Sequence, residues 1–189
     1  MFRLGRSEFE VTAAEIHGFF TEKQGLLWFL SVDTEGELIF YDCENEKDHL
    51  WPLEPWLYHC NGIHLDISSW KELEGLDLQW DSEYDVKGDE AGVLYVLEHE
   101  DVTKCRIEFL ERHGAVFSVR WTGTAHVYVD DEYGENVPFA FQGDMTFEGI
   151  SVQSALPEQE VTEVLKRVTD LDGLVCTGSG GEWQFVPVK

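Results

Sequence analysis

Lys104-Cys105-Arg106-Ile107-Glu108-Phe109-Leu110, a turn at Arg112-His113-Gly114, then Ala115-Val116-Phe117-Ser118-Val119-Arg120-Trp121: the reading of this stretch decides the fold. Two runs rich in strand formers flank a glycine-containing turn, which is the pattern of a β-hairpin. Apolar and polar residues alternate incompletely over Val116–Trp121, so both faces of that strand are expected to be partly covered. Working outward, Gly92–Glu98 is expected to pair with Lys104–Leu110 across His99-Glu100-Asp101. Thr124–Val129 follows beyond Gly123, which marks a bend or bulge. Val137–Phe141 and Met145–Val152 then complete a meander. Leu174–Thr177 and Glu182–Val188 read as a last hairpin around Gly178-Ser179-Gly180-Gly181, and Pro187 places its second strand on a sheet edge. On the other side, Leu26–Val32 and Glu37–Tyr41 read as a hairpin around the turn cluster Asp33-Thr34-Glu35-Gly36.

Helical patterning is rarer. Val161, Val164, Leu165 and Val168 recur at helical spacing, predicting a helix over Pro157–Leu171 with acids at its start, Lys166 and Arg167 near its end, and Gly173 as the stop. Ser69-x-x-Glu72 fits a capping box for a short helix ended by Gly75. Thr12-x-x-Glu15 fits one too, but Phe9–Phe20 also reads as the first arm of a hairpin. Gly18 weakens the helix, and the strand reading is taken. With no repeat and no low-complexity linker, the expectation is a single domain over 1–189. Its class is α+β, mainly antiparallel β, arranged as a meander, a sandwich or an open barrel-like sheet. Asp81–Gly92, acidic and poor in apolar residues, reads as a long loop.

Composition supports a folded core. The chain of 189 residues is 43% hydrophobic and holds seven Trp, twelve Phe and six Tyr, and each buried aromatic removes roughly 150–250 Å² from water. Its net charge is −25, from 13 Lys+Arg and 38 Asp+Glu. That balance excludes nucleic-acid binding through a basic patch and docking on an anionic membrane by charge. Eleven acids and a single lysine, Lys87, fall between Glu72 and Asp101, while Trp121–Leu165 contains no Lys or Arg. An acidic face is therefore expected near Asp81–Glu90, with Asp81, Glu83, Tyr84, Asp85, Asp89 and Glu90 as candidate contacts for a basic protein. Cys43, Cys60, Cys105 and Cys176 form no CxxC pattern, no long apolar run opens the chain, and no stretch approaches 18 apolar residues. A cytoplasmic protein with free thiols is expected, with no transmembrane helix.

Signals for chemistry are sparse. His59, Cys60, His64 and Asp66 form the densest cluster of metal-ligand types, with His64 and Asp66 on one face of a strand over Ile63–Ile67, but their spacing matches no established zinc pattern. A polar turn with a satisfied histidine is the competing reading. Asp130-Asp131-Glu132-Tyr133-Gly134-Glu135-Asn136 concentrates oxygen donors without EF-hand spacing and reads as a hairpin loop. Gly178–Gly181 lacks the helix and lysine of a phosphate cradle, and no hydrolase, dinucleotide or P-loop motif is present. His99 sits between Glu98 and Glu100, which would raise its pKa. No catalytic residue and no cofactor is assigned. In general character the chain is similar to compact bacterial proteins such as immunity proteins that neutralise basic toxins, and to nucleic-acid-mimicking inhibitors. This is an analogy of acidity and size without a shared motif. The reading adopted is a non-enzymatic binding protein for a basic partner. The alternatives are a small-molecule or enzymatic site around His59, His64 and Asp66, and self-association through strand Glu182–Val188.

Overall fold

The computed structural model describes residues 1–35, 38–42, 47–51, 54–59, 61–82, 92–96, 98–128 and 133–188. Among them are thirteen strands: β1 Phe2–Leu4, β2 Ser7–Thr21, β3 Gly25–Glu35, β4 Leu38–Asp42, β5 Lys47–Trp51, β6 Trp56–Tyr58, β7 Asp77–Trp80, β8 Val93–Val96, β9 Glu98–His113, β10 Val116–Val127, β11 Gly134–Gln153, β12 Leu174–Ser179 and β13 Glu182–Pro187. A 3₁₀ turn spans Trp70–Leu73, and the one α-helix of the described residues, α1, spans Glu158–Leu165. The fold is thus α+β and mainly antiparallel β, with its helix in the second half of the chain. No helix among the described residues is long and apolar enough to cross a membrane.

The hydrogen-bonded ladder runs β2–β3–β6–β8–β9–β10–β11 and returns to β2. Its closing step is parallel, with Thr146 opposite Glu15 and Val152 opposite Phe20. β1 explains this direction. It lies antiparallel to β2 (Phe2 opposite Phe9) and antiparallel to β11 (Phe2 opposite Phe141), so β2 and β11 must run the same way. β13 and β12 extend from the far end of β11, and β7 adds to β9. A strand of twenty residues would reach ~65 Å if straight. Closure therefore needs bending, and the register shifts between Phe147 and Gly149, between Val11 and Ala13, and between Thr122 and Thr124 supply it.

Strand periodicity sorts the side chains. Along β11, Phe139, Phe141, Met145 and Phe147 are buried, while Asp144, Thr146 and Glu148 are exposed. The interior is aromatic. Phe147 stacks on Trp70 at 4.8 Å and meets Trp28 at 5.9 Å, and Phe117 meets Phe109 edge-on at 6.1 Å. The 3₁₀ turn contributes Trp70 and Leu73 to this core, and α1 contributes Val161 and Leu165.

Several local expectations are corrected. Leu26–Val32 does not pair with Glu37–Tyr41: β3 pairs with β2 and β6, whereas β4 pairs with β5 in a separate sheet. The turn before β9 is shorter than expected, and His99–Asp101 belong to β9 itself, with Asp101 opposite Val93. β10 and β11 each run through as one strand across Gly123 and Gly143, and Gly123 sits at the register shift between Thr122 and Thr124, the bulge expected there. The helix ends at Leu165, not Leu171; Arg167 N–H bonds Val164 O and Val168 N–H bonds Leu165 O, the tightened pattern of a final turn. The short helix at Ser69 is a 3₁₀ turn in which the Ser69 hydroxyl accepts from Lys71 N–H, while Glu72 accepts from the Ser68 N–H and hydroxyl. Phe9–Phe20 is strand, within β2. Finally, Glu182–Val188 is not an edge. β13 is paired on both sides, and β12 is the terminal strand of the path. Pro187 is tolerated because pairing with β11 stops at Phe185.

Gly149 holds the branch point where β11 leaves β10 for β13. Its φ is +123° and a Cβ there would lie 2.5 Å from the Phe185 carbonyl oxygen. Gly149→Ala is expected to lower the urea midpoint at unchanged m-value, corresponding to about 2–4 kcal/mol.

Candidate functional site

At the β2–β3–β6–β8 junction lies a groove of about 460 Å³ lined by Thr12, Asp33, Thr34, Glu35, Glu54, Trp56 and Tyr95. The strand register builds it. Asp33 on β3 is directly opposite Trp56 on β6, Trp56 is opposite Tyr95 on β8, and Tyr95 is opposite His99 on β9. Directly opposed residues lie within contact distance on one face of a sheet. The row is therefore an acid, an indole, a phenol and an imidazole side by side. The Trp56 ring stacks on Tyr58 at 4.1 Å, and Tyr95 meets His99 edge-on at 5.2 Å. Trp56 and Tyr95 nonetheless keep 40% and 38% of their surface exposed. The buried Thr34 hydroxyl donates to Pro55 O at 2.8 Å, which fixes the Glu54–Trp56 segment along β3.

Asp33 is half-buried, and that burial raises its pKa from the ordinary value. A cation placed beside it would oppose that shift.

Thr12 also lines a second groove, of about 360 Å³, with Glu15, Asp144 and Glu148. The two grooves meet at Thr12, beside the register shift between Val11 and Ala13. Together they carry six carboxylates, and among the described residues no lysine or arginine lines either. A larger groove, about 830 Å³, lies between α1 and β12. Two of its charges are paired, Lys166 with Glu163 and Asp172 with Lys71, and among the described residues it presents no exposed aromatic ring.

The residues singled out from sequence are placed as follows. Asp81 is exposed; Glu83, Tyr84, Asp85, Asp89 and Glu90 lie outside the described residues. Neighbouring acids of the same stretch are engaged. Asp77 accepts two bonds from Arg106, Glu74 accepts from Arg112 N–H, and Glu72 accepts from Ser68. His59 is buried, whereas His64 and Asp66 are exposed. Cys60 lies outside the described residues, as do Asp130, Asp131 and Glu132 of the oxygen-rich loop. Among the described residues no group of three His, Cys, Asp or Glu could hold a metal ion. Trp70 is a core residue, and Trp80 is partly buried against the core.

His59 has an unusual environment. Its ring stacks on Trp121 at 5.1 Å and meets Trp80 at 5.6 Å, and neither ring nitrogen has a hydrogen-bond partner. Burial holds its pKa down at about 3. A neutral imidazole keeps one N–H, and leaving that donor unsatisfied costs about 1–3 kcal/mol. Trp121 Nε1–H donates to Cys105 Sγ at 3.1 Å, and burial pushes that thiol up to about 12.

Compared with models of protein families, with curated proteins and with solved structures, the chain matches none. The grooves around Thr12 were not legible as a site in the sequence, because their carboxylates come from separate strands. One signal was present: Lys47 is the only basic residue between Lys23 and Lys71.

The Arg106 fork, by its hydrogen bonds first and its charge second, holds the Asp77 carboxyl down at about 2. That interaction favours the fold above the ordinary carboxylate pKa and is lost as pH falls through about 2. Arg106→Ala is expected to move the Asp77 midpoint up toward the ordinary aspartate value of 3.8, read by carboxyl ¹³C NMR titration.

Proposed function

We propose that the chain is a non-enzymatic binding protein that captures a basic partner protein, taking a cationic side chain of that partner between Trp56, Tyr95 and the carboxylates of Asp33, Glu35 and Glu54. The observation that carries this reading is the pair of exposed aromatic rings set among acids that no basic side chain of the described residues answers within the groove. Cation–π attraction is worth about 0.5–1 kcal/mol at an exposed site and more when the cation is desolvated. An exposed ion pair adds about 0–1 kcal/mol. Neither alone gives tight binding, so the site supplies one anchor within a wider acidic surface, to which Glu15, Asp144 and Glu148 contribute through the neighbouring groove.

Arginine fits better than lysine. Its planar guanidinium can lie on the Trp56 ring while its edge donates to a carboxylate, whereas an ammonium offers a point charge. Long-range attraction also acts, because a net charge of −25 draws basic partners from solution and is screened beyond ~8 Å at physiological salt. A protein that inhibits a basic target by covering it would work in this way.

Titration of the full-length protein with a labelled hexa-arginine peptide tests the reading. Binding is expected to weaken steadily with salt and to be absent for hexa-glutamate. Trp56→Ala is expected to weaken it about tenfold. The triple change Asp33→Asn, Glu35→Gln, Glu54→Gln is expected to flatten the salt dependence. Wild-type affinity in Trp56→Ala would overturn the assignment of the groove.

A further inference from the structure

The candidate site and the unpartnered histidine lie on one short segment. Trp56 faces the groove; three residues later, His59 faces the interior. Between them Leu57 is fully buried. β6 is only three residues long, yet it is the bridge between β3 and β8 in the closed ladder. Its last anchor is the His59 N–H, bonded to Leu30 O at 3.1 Å.

We infer that protonation of His59 opens β6, so that mild acid dismantles the groove and releases the cation held there. This regulation rests on the reading of the groove as a cation site. The imidazole lies between Trp121 and Trp80, and both its nitrogens lack a partner. An imidazolium carries two N–H donors and a full charge, and neither is answered in that position. The neighbouring elements offer no counter-ion among the described residues. β10 presents Trp121 and β7 presents Trp80. β3 supplies the Leu30 carbonyl, already bonded to the backbone. β9 places Cys105 behind Trp121, a thiol that stays neutral across the whole range concerned. The titratable groups nearest in sequence and register, Asp33, Glu54, Tyr58, Tyr95 and His99, belong to the outer row of the sheet. The ring therefore takes up a proton by leaving the core, and it cannot leave without breaking β6 from Leu30. Trp56 then no longer stands opposite Asp33 and Tyr95.

The sign follows from linkage. The closed form keeps His59 neutral down to about 3, whereas the open form protonates near the ordinary histidine value of 6.5. Stability of the closed form is therefore full above 6.5 and declines as pH falls below it. From pH 7.5 to pH 5.0 the opening equilibrium of β6 is expected to rise about 30-fold.

Amide hydrogen exchange of the full-length protein, corrected for intrinsic rates, reads this directly. In the wild type the His59 amide is expected to gain about 30-fold in opening between pH 7.5 and 5.0, while Val119 and Trp121 in the β10–β11 ladder stay unchanged. His59→Phe, which keeps an aromatic ring between the tryptophans, is expected to remove that dependence. An equal rise in both variants, or a parallel rise across β6 and β10, would overturn the inference. Should His59→Phe fail to fold, ring ¹⁵N shifts of wild-type His59 decide. A ring that titrates near 6.5 while its own amide stays protected is the contrary result; one that stays neutral in the closed form is the supporting one. Hexa-arginine affinity at pH 7.5 separates the two readings: no binding there sinks the groove assignment, and with it the release, whereas the exchange data still report whether His59 opens β6.

Discussion

The parallel ladder between Glu15–Phe20 of β2 and Thr146–Val152 of β11 is the constraint on which the rest of this molecule depends. Every other pairing in the ring is antiparallel between strands adjacent along the path. Without this step, β2 and β11 would each present a row of unpaired amides and carbonyls. With it, the sheet has a defined inside and outside, and the alternation along each strand acquires a consequence. Inward positions meet across the interior, where Trp28, Trp70, Phe117 and Phe147 fill the space. Outward positions are left for charge.

That division accounts for how a chain with net charge −25 folds. Like charges repel, but the acids are spread over the outer surface while the attraction between aromatic side chains is concentrated inside. Where cations are available they are used on the β7–β9–β10 side: Arg106 bridges Asp77 and Glu108, and Arg120 also reaches Glu108. Among the described residues the grooves beside Thr12 contain no such cation, so the carboxylates there are crowded without an answering charge. Half-burial of Asp33 adds desolvation to that crowding. A surface with this tension is relieved by whatever brings positive charge to it.

Much of the architecture was legible. Strand formers, turn residues and the Val161–Leu165 spacing identified most strands and the helix, because those signals are local. The pairings were less so. Nothing near Glu15 announces that its neighbour is Thr146, and the pairing of β4 with β5 rather than with β3 depends on where β6 goes. Pro187 suggested an edge, but a proline is compatible with an internal strand once the ladder has ended. The acidic run Glu72–Asp101 was conspicuous in sequence, yet Asp77 and Glu74 prove to be paired with arginines that lie about thirty to forty residues away. The groove was hidden for the opposite reason. Its acids are single outward residues on different strands, and only register brings them together. His59 looked like a ligand because of its neighbours in sequence; in three dimensions its neighbours are two tryptophans.

Ring closure also has a bearing on how the molecule comes into being. Residues of β1 and β2 leave the ribosome early, but the partner strand that covers their free side is β11, made more than a hundred residues later. Until then Ile16 and Phe20 have only β3 beside them. Contacts of such long range form slowly, since the entropy of a large loop must be lost before any pairing is gained. The same charge that crowds the finished surface keeps those waiting strands apart from the strands of other nascent chains, so the acidity of this sequence serves its assembly before it serves any partner.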